Sequence, residues 1–239
     1  MTIKSIIMIV KPSIAFEDMR KSAGGVTASK NKARLYLKNR ISPRNPRTEA
    51  QSKVRATLTT FAKNWAVLTP EQRDVWNETA KSAMGVRILG NAAKISGFNL
   101  YVRINSNLDM IGKEAIAVPG TGAEFAPFDI VSIAYVAAAE QESAKLNVTF
   151  SGIENLTAQT LVIRATPGFS QGRESYPALL RNVGVFTEIS AGVVDIATKY
   201  QTVLGAFPAS GQKIQVEAFL VDNATGEASL KQSLTYLFE

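Results

Sequence analysis

The segment Leu68-Thr69-Pro70-Glu71-Gln72 leaves few alternatives for the chain around it. Thr69 has the chemistry of a helix N-cap. Pro70 follows at the first helical position, where its missing N–H costs nothing, and Gln72 can return a hydrogen bond to the cap. Glu71 adds negative charge near the positive end of the helix dipole. The spacing predicts a helix from about Pro70 to Met84, stopped by Gly85, with Val75, Trp76, Thr79, Ala80 and Ala83 on its apolar face. Upstream, Thr48-Glu49-Ala50-Gln51 is a second capping box. Val54, Leu58, Phe61 and Trp65 recur behind it at helical spacing, opposite Lys53, Arg55, Thr59 and Lys63. Two amphipathic helices joined this tightly must bury their stripes against each other or a third element. Trp65 and Trp76 are expected to meet near that seam as core residues. A third helix is expected in Ser96–Leu108, with Phe98, Tyr101, Val102, Asn105 and Leu108 on one face.

Before the first helix the chain is basic. Ile3–Val10 reads as a short buried strand ended by Pro12, and Phe16–Ala28, with Gly24-Gly25, as a loop or turn. Lys30, Lys32, Arg34, Lys38, Arg40, Arg44 and Arg47 then follow with no acid among them. Leu35–Lys38 lies in a roughly alternating run that could be a strand. Pro43 and Pro46 forbid a regular helix or central strand beside them. A short strand plus an extended basic arm is expected over residues 1–47, and these seven cations are the candidate partner-binding residues.

Residues 116–128 are Pro- and Gly-rich, without a period, and read as a linker. Beyond them the texture is β. Runs at Ile130–Val136, Leu146–Ser151, Gln159–Thr166, Val185–Ile189, Val193–Tyr200, Ile214–Asp222 and Leu230–Phe238 are separated by turn signals such as Thr166-Pro167-Gly168. Short strands at this density predict an immunoglobulin- or fibronectin-like β-sandwich over 129–239. The expected fold class is therefore α+β: a short strand plus extended basic arm (1–47), a small helix-turn-helix-like helical domain (48–115), a linker (116–128) and the sandwich (129–239).

Charge divides the same way. Residues 1–115 hold 20 Lys/Arg against 8 Asp/Glu, and residues 116–239 hold 7 against 12. The basic half is suited to nucleic acid or to an acidic protein surface. The chain has no histidine and no cysteine. Thiol nucleophiles, His bases, disulfides and Cys/His zinc sites are thereby excluded. No phosphate-binding glycine motif is present, and Glu17-Asp18 and Glu140 with Glu142 lack the apolar setting that separates carboxylate pKa values. The expectation is a chain that is not an enzyme, with no catalytic residues, no cofactor and no metal. No stretch approaches the roughly 20 apolar residues of a membrane helix.

The residues Asn45-Pro46-Arg47-Thr48-x-x-Gln51, Trp65-x-x-Leu68-Thr69-x-x-Gln72-Arg73-x-x-Trp76 and Gly97-x-Asn99-Leu100-Tyr101 resemble a family of virion-associated structural proteins from tailed bacteriophages and prophages. The resemblance spans most of residues 30–108 and, more loosely, the tail. It implies a structural component of the particle, in head, connector or tail. Such a chain would be a homo-oligomer made in the bacterial cytoplasm, would touch other virion proteins, with packaged DNA as a further candidate contact, and would have no membrane partner. A looser likeness, Trp65-x-x-Leu68-Thr69 with Trp76, is to the high-mobility-group box, which implies a DNA-binding architectural protein.

Overall fold

The computed structural model describes residues 7–10, 20–30, 35–40, 45–83, 95–122, 124–137, 143–153 and 156–238. Helices and antiparallel sheets are both present, which is the α+β class. The chain forms two compact units, Met1–Val102 and Arg103–Glu239.

The first unit begins with a four-stranded antiparallel sheet of β1 (Ile7–Val10), β2 (Lys21–Ala23), β3 (Val26–Lys30) and β4 (Leu35–Asn39), in the order β1-β4-β3-β2. An extended arm was the expectation here, and the described residues correct it. Ala23 pairs with Val26, so Gly24-Gly25 makes a two-residue hairpin turn, with Gly24 at φ 56°. Such turns require a positive φ that only glycine adopts without cost. Once that turn closes, Lys21, Lys30 and Lys38 lie on paired strands. β1 falls within the strand expected at Ile3–Val10.

Three helices follow: α1 (Glu49–Val67), α2 (Pro70–Ser82) and α3 (Gly97–Met110). Both caps form as the sequence requires. Thr48 accepts from the Gln51 N–H, and Thr69 and Gln72 make a reciprocal capping box. α2 ends at Ser82; Gly85 lies outside the described residues. Trp65 and Trp76 each pack against Tyr101 of α3, both at a ring-centroid distance of 5.3 Å, and Phe61 meets Tyr101 edge-on. The seam between the tryptophans is therefore filled by the third helix. Of the stripe expected on α1, Phe61 is buried, whereas Val54 and Leu58 are 69% and 49% exposed. On α3 the buried residues include Leu100 and Ile104 beside the expected Tyr101, Asn105 and Leu108.

The boundary between units falls within α3, not in the expected linker. Residues 116–128 are bonded into the second unit. Asn105 is buried and accepts from the Ile116 N–H at 2.7 Å, Gln159 Nε2 donates to the Glu124 carbonyl at 3.1 Å, and Phe128 is buried in the core.

That unit holds β5 (Asp129–Val136), β6 (Lys145–Ser151), β7 (Gln159–Ala165), β8 (Phe169–Ser170), β9 (Arg181–Phe186), β10 (Val193–Asp195), α4 (Ala197–Leu204), β11 (Gln212–Asp222) and β12 (Gln232–Leu237). One antiparallel sheet runs β10-β6-β5; the other runs β12-β11-β7-β9, with β8 also paired to β11. Leu146 and Val148 of the first sheet share a core with Leu161, Ile163, Ile214, Val216 and Leu220 of the second. β11 is apolar on both faces, because Phe219 and Val221 join Val162 in a second cluster against Met110 and Ile111. On that face Glu217 pairs with Arg164 and Lys231, a cross-strand group beside the Phe219 ring.

The strand expected over Val193–Tyr200 is corrected. It stops at Asp195, whose Oδ1 accepts from Leu146 N–H (3.0 Å) and Ala197 N–H (2.9 Å). The chain then turns into α4, which sets Tyr200 in the core, its hydroxyl donating to the Thr166 carbonyl at 2.9 Å. β9 lies earlier than the expected Val185–Ile189, starting at Arg181.

Candidate functional site

The hairpin of β2 and β3 places positive charge at its open end. Lys21 lies opposite Ala28 in the register, and Lys30 is two residues further along β3 on the same face as Ala28. Arg20, Lys21, Ala28, Ser29 and Lys30 line an open cradle of about 490 Å³. All three cations are exposed. Lys21 holds a left-handed backbone at φ 79°, a conformation costing a non-glycine residue roughly 1–2 kcal/mol.

The other candidate cations separate. Lys38 lies on β4 opposite Thr27, on the sheet face away from Lys30. Arg40 follows β4 and donates its N–H to the Gly25 carbonyl at 2.7 Å, which extends the β3–β4 ladder past the Val26–Asn39 pair. Arg47 is exposed at φ 50°, just before the α1 cap. Lys32, Arg34 and Arg44 lie outside the described residues. Sequence reasoning missed Arg20 and Lys21. The signal was Lys21 standing three residues before Gly24-Gly25, where a hairpin returns it beside Ala28 and Lys30.

The motif residues around α1 and α2 have local duties. Asn45 Oδ1 accepts from the Arg47 N–H (3.3 Å) and from Arg55 Nη2 (3.0 Å), which ties the approach to α1 onto its second turn. Arg73 bonds the last carbonyls of α1. Glu71 accepts a hydrogen bond from the backbone and one from Thr69, and these hold its carboxyl below the ordinary value. The carboxylate end of this unit thus supports the α2 terminus.

The second unit contains a smaller groove of about 250 Å³ between α3 and the turn after β11, lined by Arg103, Asn107, Gly226 and Glu227 among others. Asn107 Nδ2 donates to the Gly226 carbonyl at 2.9 Å, so the groove's amide is used to dock the turn. Tyr200 and Tyr101 have phenols raised above the ordinary value by burial. Among the described residues no group of three or more His, Cys, Asp or Glu side chains is placed to hold a metal ion. Among those residues, too, no helix is long and apolar enough to cross a membrane. No protein-family model matches this chain, and no curated protein matches it at a significant level.

Proposed function

We propose that this chain is a structural component of a bacteriophage particle, associating with other virion proteins and with copies of itself through its basic first unit and helical pair. The observation that carries the reading is the α1 stripe. Phe61 is covered by the chain's own α3, while Val54 and Leu58, on the same face, are left 69% and 49% exposed. An amphipathic helix whose apolar face is covered over only part of its length is suited to completion by a neighbour. Repeated subunits multiply such modest contacts into firm assembly. We read the second unit as an immunoglobulin- or fibronectin-like β-sandwich serving as a contact module; its two antiparallel sheets over one core support that.

The role proposed is non-catalytic and needs no cofactor. The test is quantitative mass spectrometry of particles purified from the bacterial strain that carries this chain. A fixed copy ratio to the other particle proteins is expected; absence from washed particles overturns the reading. A second reading, a DNA-binding architectural protein, is favoured by the basic sheet. Its base-wedging side chains would not be Trp65 and Trp76, which are packed on Tyr101.

A further inference from the structure

We infer that the cradle at the end of the β2–β3 hairpin is a binding site for the phosphate backbone of nucleic acid. The inference deepens the structural reading above by naming the partner of the basic unit. Three observations carry it.

First, charge follows the structural division. Met1–Val102 contains 18 Lys/Arg and 6 Asp/Glu, net +12, whereas Arg103–Glu239 contains 9 and 14, net −5. The first unit is therefore a concentrated source of positive potential, which attracts a polyanion.

Second, the hairpin register gives that potential a geometry. Lys21 faces Ala28, and Lys30 is the diagonal neighbour, a relationship that separates side-chain roots by about 7–8 Å. One nucleic-acid strand carries a phosphate for every ~3.4 Å of rise. The two ammonium groups, with Arg20 beside them, address a run of phosphates better than one small anion. Ala28, on their face of the sheet, is small, so a backbone can approach between the cations.

Third, among the described residues the cradle has no aromatic side chain in its lining, and Tyr36 pairs with Ser29 on the opposite face. Base stacking and base-edge reading are not provided. Contact is to phosphate and is independent of sequence. Arg20 and Lys30 also make contacts within the chain; the site requires only that their charge stays at its rim. The left-handed Lys21 backbone holds the third cation there at a conformational cost.

The test is fluorescence anisotropy of a labelled random-sequence DNA duplex with the full chain, across a salt series. Expected is affinity that falls with salt and does not change with duplex sequence. Lys21→Gln should lower the log–log salt slope by about one, and Lys21→Gln with Lys30→Gln by about two. The control is Lys53→Gln with Lys63→Gln on α1, which removes the same charge from the same unit and should leave the slope nearly unchanged. Circular dichroism melts establish that each variant folds; if the double variant does not, the Lys21→Gln slope decides.

Equal loss in both pairs overturns the site, because net charge alone then explains binding. No binding at low salt also overturns it. So does a result in which the cradle variants abolish only a salt-sensitive self-association seen by sedimentation, since the partner would then be another copy's acidic unit. A chain present in particles but inert toward DNA overturns this inference and leaves the structural reading standing. A chain that binds DNA but is absent from particles does the reverse.

Discussion

Arg73 reaches back across the corner between α1 and α2 and donates to the Leu68 carbonyl from both Nε (3.0 Å) and Nη2 (2.8 Å). Nη2 also lies 3.4 Å from the Ala66 carbonyl. The last carbonyls of a helix have no partner within it and carry the negative end of its dipole. One guanidinium answers both needs, and it comes from the first turn of the next helix. The corner is thus set by Thr69, Pro70 and Gln72 on one side and locked by Arg73 from the other.

Arg73→Ala should therefore lower the stability of the first unit by about 1.5–3 kcal/mol, the range for hydrogen bonds from a charged donor. Arg73→Lys should recover less than half, because an ammonium cannot reproduce the planar two-point contact. Urea unfolding followed by tryptophan fluorescence checks this, since Trp65 and Trp76 both lie in that unit.

Gly97→Ala reverses the usual sign of a helix substitution. Alanine ordinarily gains about 1 kcal/mol over glycine in a helix interior. At Gly97 an added Cβ would stand 2.8 Å from the Asn77 backbone nitrogen and 2.9 Å from the Trp76 carbonyl carbon. Those are backbone atoms of α2 and cannot swing away. A loss of about 1–3 kcal/mol is expected, read as a lower urea midpoint; unchanged or raised stability would contradict the close packing of α3 on α2.

Tyr200 sets an alkaline limit. Its phenol is raised above the ordinary 10.0 by burial. A group whose folded-state pKa is raised stabilises the fold fully below its unfolded value and loses that contribution as pH climbs past it. Stability should fall above about pH 10. Tyr200→Phe should cost about 1 kcal/mol at pH 8 by leaving the Thr166 carbonyl without its donor, yet fall less steeply at high pH. The two urea-midpoint curves should converge between pH 8 and 11. Parallel curves would show that another group governs the alkaline transition.

Leu58→Glu separates folding from assembly. Leu58 is 49% exposed, so the monomer's melting should change by no more than the ~0.5 kcal/mol typical of surface sites. Association with itself or with other particle proteins, measured by sedimentation velocity, should drop at least tenfold. Undiminished association would place the contact elsewhere.

The helical corner was legible because its capping residues act within four positions of themselves, although the Arg73 bonds to Leu68 and Ala66 reach further. Thr48 and Thr69 cap through nearest-turn geometry, and Pro70 constrains its own φ. The third helix was legible in extent, but its buried face was only half right. Leu100 and Ile104 are apolar at positions that the five-residue face did not include. The basic segment was misread because a hairpin depends on what the returning strand finds. Gly24-Gly25 marked a turn, yet only the pairing of Ala23 with Val26 shows that two strands leave it. The Val193–Tyr200 run looked like a strand by composition. Asp195 overrides that preference through bonds to Leu146, some fifty residues away in sequence, which no local pattern displays. The candidate cations were visible as types; their division between two sheet faces was a property of register alone.

β5 (Asp129–Val136) has no proline and no charge beyond Asp129, and it lies at the margin of its sheet. Strands of that kind invite a foreign strand to add on. Here the Tyr236 hydroxyl of β12 accepts from the Tyr135 N–H at 3.4 Å, and Phe238 packs on the Tyr135 ring. A neighbour seeking to zip onto that margin meets a phenol instead of a vacant amide. Copies crowded together in solution can then touch without knitting into fibres, leaving contact to side chains rather than to the peptide backbone.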